Sequence, residues 1–215
     1  MTRQKDIYLY IHFPFCVKKC HYCDFYSVTD LELIENYFFA LQKEIASYRD
    51  VLINRKIKSI YIGGGSPNLI PPEFLEMTIQ TIGKLNKLQH LEEFTIEINP
   101  GNISQNQLNH FKTLGINRIS IGAQSFNNKD LKFLGRIHNT DQIFATLTMV
   151  NNAGINNRSL DLIYGIPEQR LSQWQNNLKQ AIQTGAEHFS FYNLIYEPRS
   201  EEHTSELQSL LIISY

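Results

Sequence analysis

Short apolar stretches alternate with longer amphipathic ones along this chain, and this alternation restricts the possible folds more than any other feature. Six stretches rich in β-branched and aromatic residues have strand character, at 7–13, 57–64, 92–99, 116–124, 158–165 and 187–195. Each interval between them is long enough for one crossover helix. The alternation predicts an α/β fold with a parallel sheet, either an open doubly wound sheet or a barrel.

The predicted helices carry their own signals. Apolar residues recur at helical spacing in five intervals, led by Leu31, Phe74, Leu108, Ile143 and Trp174. Ser104, with Gln107 three residues later, predicts a capping box at the start of a helix. Glycines are expected to close the later helices, at Gly115, Gly154 and Gly185.

Composition limits the class of protein. The chain has 215 residues and is 42% hydrophobic, enough for one substantial core, and we expect one domain. Twenty basic and 21 acidic residues leave a net charge of −1, so no overall field favours nucleic acid or an anionic membrane. No apolar run is long enough to form a transmembrane segment, and no signal-peptide cleavage site is present. These features predict a cytoplasmic protein.

Polar side chains near the ends of several predicted strands favour the barrel. On the first strand Tyr10 and His12 share one face, opposite the apolar residues. Glu97, Gln124 and Asp161 lie near the carboxyl ends of the third, fourth and fifth strands. Barrel enzymes build their sites at that end of the strands. The alternative is that the two carboxylates only form salt bridges inside the barrel.

All three cysteines, Cys16, Cys20 and Cys23, lie within eight residues directly after the first strand. An odd number of clustered thiols argues against a disulfide framework and for reduced thiols. Thiolates select zinc or iron–sulfur clusters. A closed zinc site needs a fourth ligand, which only His12 or His21 could provide. An iron–sulfur cluster with three protein ligands leaves one iron open to a small molecule, and we favour it over a non-catalytic, zinc-stabilised module.

The spacing of these cysteines in CVKKCHYC, Cys-x3-Cys-x2-Cys, resembles that of the radical S-adenosyl-L-methionine (SAM) superfamily. Further segments resemble, in order, the oxygen-independent coproporphyrinogen III oxidase family and its HemW-type heme chaperones: YIHFPFC, GGGSP at 63–67, EINP at 97–100, IGAQSF at 121–126, LGRIHN at 134–139 and DLIYGIP at 161–167. The resemblance covers residues 7–198. It implies a partial (β/α)6 TIM-like radical SAM barrel with a [4Fe-4S] cluster on the three cysteines and SAM on the fourth iron.

The resemblance also implies roles for individual residues. It suggests a set of SAM contacts: Tyr10, Tyr22, Gly64, Gly65, Ser66, Glu97, Gln124, Arg136 and Asp161. The family more often has Thr where Ser66 stands, and the hydroxyl is preserved. The guanidinium of Arg136 suits the methionine carboxylate, and acidic side chains suit ribose hydroxyls. His12 is the catalytic candidate, placed to meet a porphyrin propionate or to transfer a proton. Its alternative is an ordinary hydrogen-bonded barrel histidine.

Two features separate the branches of this family. The oxidase-like pattern is Cys-x3-Cys-x2-Cys-x-Cys, whereas here Asp24 and Phe25 follow Cys23. The oxidase-like pattern also follows an N-terminal extension, whereas here the motif begins close to residue 1. The resemblance therefore implies a heme chaperone, which binds heme and passes it to an acceptor protein. The alternative is the oxidase, which decarboxylates coproporphyrinogen III to protoporphyrinogen IX. The heme acceptor and the electron donor are not specified by the sequence.

The C-terminal residues do not follow the family. RSEEHTSELQS, at 199–209, resembles a translated sequencing adapter. We predict that residues 1–198 form the radical SAM barrel domain, that 199–215 are an artefactual tail, and that the natural protein continues into a further domain.

Overall fold

Six parallel strands form one sheet in the computed structural model, which describes residues 6–195. The strands are β1 Asp6–Phe13, β2 Lys56–Gly64, β3 Glu93–Ile98, β4 Arg118–Gln124, β5 Asn157–Tyr164 and β6 His188–Asn193. They lie in chain order, and every neighbouring pair is parallel. The sheet curls into a half-barrel, so the predicted partial (β/α)6 barrel is confirmed. The proposed tail at 199–215 lies outside the described residues.

Helices connect the strands and cover the outer face of the sheet. They are α1 Ile34–Ser47, α2 Arg49–Asn54, α3 Pro72–Leu85, α4 Gln105–Thr113, α5 Asn128–Phe133, α6 Thr140–Asn152 and α7 Leu171–Gln183. The capping box predicted at Ser104 and Gln107 is present in both directions. The glycines predicted to end helices all have positive φ, at Gly115, Gly154 and Gly185. The sequence pattern missed α2 and α5, because six residues are too few to show a helical period.

The buried face of α7 differs from the prediction. Of the apolar residues at helical spacing, Trp174 packs against the core as expected, whereas Ile182 is 68% exposed. The fully buried residues of this helix are Asn177 and Ala181. Asn177 is buried because its side-chain oxygen accepts a hydrogen bond from the backbone N–H of Phe126, at 2.8 Å. This polar contact ties α7 to the segment that follows β4.

The two faces of the sheet have different chemistry. On β3, Phe94 and Ile96 are buried beneath the outer helices, whereas Glu97 belongs to the inner face. On β1, the inner-face side chains of Tyr8 and Tyr10 are 71% and 59% exposed. The inner face of the half-barrel is thus polar, aromatic and accessible at β1. Over residues 6–195, no helix has the length and apolar character needed to span a membrane.

Candidate functional site

The cysteine loop begins directly after β1 and its two ends are tied together. Phe15 and Val28 form an isolated parallel bridge. The backbone N–H of Cys16 donates to the carbonyl of Val28 at 2.9 Å, and the N–H of Val28 donates to the carbonyl of Pro14 at 2.8 Å. All three cysteines, including Cys20 and Cys23, are free thiols. The fold therefore holds the three thiols on one short closed loop.

Two of the three thiols, those of Cys16 and Cys23, favour the protonated form in the metal-free loop. Burial raises the pKa of Cys16, and it raises the pKa of Cys23 to about 11. A metal binds the thiolate and must displace these protons. One cation already lies beside the loop, since Nη1 of Arg136 lies 3.6 Å from Sγ of Cys20.

The glycine turn after β2 packs against the base of this loop. The N–H of Gly65 donates to the carbonyl of Phe13, and the N–H of Ser66 donates to the carbonyl of Phe15, both at 2.8 Å. A Cβ added to Gly65 would lie 2.5 Å from the carbonyl oxygen of Phe15 and 2.9 Å from Sγ of Cys16. Gly64 has a φ of 119°, which an L side chain rarely adopts. GGGSP is therefore needed for close backbone approach to the thiol loop.

The two predicted carboxylates have neutral hydrogen-bond donors as partners. Glu97 accepts from the hydroxyl of Tyr61 at 2.6 Å and from the N–H of Gly64 at 3.0 Å. Asp161 accepts from the hydroxyl of Ser120 at 3.3 Å. Burial raises the pKa of both carboxyl groups. Within residues 6–195 neither carboxylate forms a salt bridge, so the structure does not support the alternative of a purely ionic role.

Asn99 links two of the motifs, although it is not among the predicted site residues. Its Nδ2 donates to the hydroxyl of Ser66 at 2.9 Å, and its Oδ1 accepts from Nη2 of Arg136. The same Nη2 donates to the carbonyl of Gly122 at 3.0 Å. Asn99 lies two residues after Glu97 in EINP, so the same alternation along β3 could have identified it. Ser66, Asn99, Arg136 and Cys20 thus form one connected polar chain.

Arg136 and Tyr22 complete the buried side of this chain. Burial is the main cause that raises the pKa of Tyr22, and the positive charge of Arg136 acts in the opposite direction. The Nε of Arg136 is buried and has no hydrogen-bond partner in the part of the chain that the structure describes. A buried guanidinium with a donor to spare fits an anionic ligand such as a carboxylate.

His12 is held through both ring nitrogens. Its Nε2 lies 2.8 Å from the carbonyl oxygen of Tyr26, and its Nδ1 lies 3.1 Å from the hydroxyl of Tyr10. A carbonyl only accepts, so Nε2 carries a proton in this contact. His12 therefore links β1 to the end of the cysteine loop, as a hydrogen-bonded barrel histidine would.

The same contacts bear on the zinc alternative. With both nitrogens engaged, His12 is not available as a fourth ligand. Nδ1 of His21 lies 3.3 Å from the carbonyl oxygen of Phe133. Among the described residues, no three His, Cys, Asp or Glu side chains are arranged to hold a single metal ion. Three free thiols on one loop, a glycine turn against them and an unpartnered Arg136 donor suit a cluster with an anionic ligand.

The chain combines a half-barrel of parallel strands with three free cysteines after β1. Comparison with known families shows which class of protein has this combination. Residues 10–181 match the model of the Radical SAM superfamily. The chain belongs to the radical SAM superfamily. Membership implies a [4Fe-4S] cluster and SAM as cofactors.

Individual relatives are more specific. The chain is 35% identical to the heme chaperone HemW of Haemophilus influenzae, over 93% of this chain and 54% of that protein. It is 36% identical to the heme chaperone HemW of Bacillus subtilis, over 89% of this chain and 51% of that protein. Among solved structures it resembles coproporphyrinogen III oxidase (HemN) of Escherichia coli, a radical SAM enzyme, with a TM-score of 0.84 and 27% identity. The match covers 91% of this chain and 45% of that enzyme. The chain spans about half the length of these relatives.

Proposed function

We propose that this barrel is the N-terminal part of a heme chaperone that binds heme and transfers it to an acceptor protein. The observation that carries the proposal is the similarity to two heme chaperones along nearly the whole chain, at 35% and 36% identity. The residues after Cys23 support the same branch. Asp24 and Phe25 stand where the oxidase pattern continues to a fourth cysteine. The free thiols support a reducing compartment, the cytoplasm.

In this proposal Cys16, Cys20 and Cys23 bind the [4Fe-4S] cluster. Arg136 receives the carboxylate of SAM through its unpartnered Nε, and Gly64, Gly65 and Ser66 approach the methionyl group. The remaining proposed SAM contacts are Tyr10, Glu97, Gln124 and Asp161 on the strands and Tyr22 on the cysteine loop. When bound, the cluster supplies the electron that radical SAM chemistry requires. His12 holds the end of the cysteine loop through its bond to Tyr26.

Glu97→Ala and Asp161→Ala are each expected to weaken SAM binding while leaving the cluster in place. Each change removes a charged hydrogen-bond acceptor worth about 1.5–3 kcal/mol, so we expect roughly ten- to hundredfold weaker binding. Equilibrium dialysis with anaerobically reconstituted protein measures the affinity, and iron analysis checks the cluster. Glu93→Ala, on the opposite end of β3, is the matched control and should bind SAM normally. Unchanged affinity in both test variants would refute these two assignments.

Heme binding without porphyrin conversion is the expected behaviour of a longer protein that carries this barrel. It should titrate heme, yet fail to convert coproporphyrinogen III under anaerobic reducing conditions with SAM. Phe25→Cys is a control that should not create activity. Positioning a propionate for radical attack is worth on the order of 7–11 kcal/mol, which one thiol does not supply.

The second candidate function is coproporphyrinogen III oxidation, and the fold similarity to that enzyme favours it. Decarboxylation by the unchanged protein, with 5′-deoxyadenosine released in proportion to product, would establish this alternative over the chaperone. We further propose that residues 1–198 are the barrel domain and that another domain follows, in line with the half-length match. Heme transfer by the 215-residue chain should then be less efficient than by the longer protein.

A further inference from the structure

The end of β4 contains a strained turn. Ile121 pairs with Leu160 and Gln124 pairs with Leu162, so β4 has one more residue than β5 over this interval. Gln124 has a φ of 64°, and the N–H of Ser125 donates to the carbonyl of Ala123 at 2.8 Å. These features define a γ-turn centred on Gln124, a conformation that is rare for a residue with a side chain. It persists only where the surrounding structure holds it.

Two side chains from the LGRIHN segment hold the residues before Gln124. Nη2 of Arg136 donates to the carbonyl of Gly122 at 3.0 Å, and Nε2 of His138 lies 3.2 Å from the carbonyl oxygen of Ala123. Neither Gly122 nor Ala123 has a paired residue in β5. Arg136 and His138 therefore provide hydrogen bonds that the sheet itself does not.

The residues after Gln124 are also anchored by buried side chains. The hydroxyl of Ser125 donates to Asp130 at 2.8 Å, and the N–H of Phe126 donates to Oδ1 of Asn177 at 2.8 Å. Asp130 and Asn177 are 7% and 1% exposed. The turn is thus fixed from both sides. His138 contacts the carbonyl of Ala123, the same carbonyl that accepts the hydrogen bond of the turn from Ser125.

This turn brings the Gln124 amide to the polar chain described above. A Cβ added to Gly122 would lie 3.0 Å from Nε2 of Gln124, 3.1 Å from Oδ1 of Asn99 and 3.3 Å from Nη2 of Arg136. The three polar atoms therefore gather around the α-carbon of Gly122. The conformation of the turn decides whether Gln124 joins Asn99 and Arg136.

The protonation state of His138 suits this contact. His138 is 5% exposed, and a carbonyl partner requires the proton on Nε2. Burial, with the charge of Arg136 as a smaller cause, lowers the pKa of His138 to about 4, so the ring is neutral at physiological pH. Its Nδ1 is buried without a hydrogen-bond partner among the described residues. Since an unpaired buried nitrogen costs stability, the hydrogen bonding of this ring depends on the contact of Nε2 at the turn.

We propose that His138 is a positioning residue, which holds the carbonyl of Ala123 and thereby orients the amide of Gln124 toward SAM. The part of the proposal that concerns SAM rests on the proposed function. The part that concerns the turn does not, because its contacts lie within this chain.

Two replacements of His138 separate the hydrogen bond from the bulk of the ring. His138→Gln keeps an N–H donor at a reach similar to Nε2, and His138→Met has similar length without a donor. In the ligand-free protein, hydrogen exchange of the Ser125 amide should be roughly three- to tenfold faster in His138→Met and near the original rate in His138→Gln. In reconstituted protein, His138→Met should bind SAM roughly tenfold more weakly, and His138→Gln should restore most of the affinity. His110→Met, on α4, is the control and should change neither.

A double-mutant cycle tests whether His138 acts through Gln124. In a Gln124→Ala background, His138→Met should cause no further loss of SAM affinity. Equal losses in both backgrounds, or unchanged exchange and affinity in His138→Met, would overturn the proposal. A protein that binds no SAM at all would refute the proposed function, and the exchange measurement would still decide whether His138 holds the turn.

Discussion

Replacement of any one of Cys16, Cys20 or Cys23 by serine is expected to abolish iron binding. The unchanged protein, reconstituted anaerobically, should hold about four irons per chain and show the broad visible absorption of an iron–sulfur cluster. The chain has three cysteines, so no other thiol can replace a lost one. Two thiolates leave two irons without protein ligands. Iron and sulfide analysis with visible spectra measures the effect, which should be a near-complete loss in all three variants.

His21→Gln is the control that separates this result from the zinc alternative. His21 lies between Cys20 and Cys23, and it is the remaining nitrogen ligand for a Cys3His zinc site. The variant should keep its iron if the cluster assignment is right. Stoichiometric zinc in the unchanged protein, lost in His21→Gln and accompanied by no visible absorption, would establish the zinc site instead.

Gly65→Ala is expected to have the second large effect, on both stability and cluster assembly. The added methyl group would lie 2.5 Å from the carbonyl oxygen of Phe15, which is itself hydrogen-bonded to the N–H of Ser66. A backbone carbonyl in a paired segment cannot move aside cheaply, and overpacking of this kind costs about 1–3 kcal/mol. The displaced loop carries Cys16, so iron loading should fall as well. Denaturant unfolding of the metal-free protein and iron analysis measure the two effects.

Gly83→Ala provides a matched glycine control. Gly83 lies inside α3, and a Cβ there would meet only Cδ1 of Leu88 at 3.7 Å, an ordinary contact. Alanine is favoured over glycine in a helix interior by roughly 0.5–1 kcal/mol, so this variant should be slightly more stable. Its iron content should not change. A Gly65→Ala protein as stable as Gly83→Ala would show that the glycine turn does not pack against the cysteine loop as described.

The elements that depend on local patterns could be predicted from the amino-acid sequence alone. The strand of alternating Phe94, Ile96 and Ile98 was predictable because its period of two places these side chains on one buried face. The cap at Ser104 was predictable because its partner is three residues away. The cysteine motif was recognisable because its three ligands lie on one loop. In each case the interacting residues are close in the sequence.

Contacts between segments that are distant in the sequence became visible once the chain was folded. Asn99 bonds to Ser66 and Arg136, 33 and 37 residues away. Asn177 is buried in α7, where its Oδ1 accepts from the N–H of Phe126, 51 residues away, and the apolar spacing did not indicate this contact. No local period encodes such pairs, because each depends on which strand ends the half-barrel brings together. The γ-turn at Gln124 is of the same kind, since a glutamine has no local preference for positive φ and adopts it here through surrounding side chains.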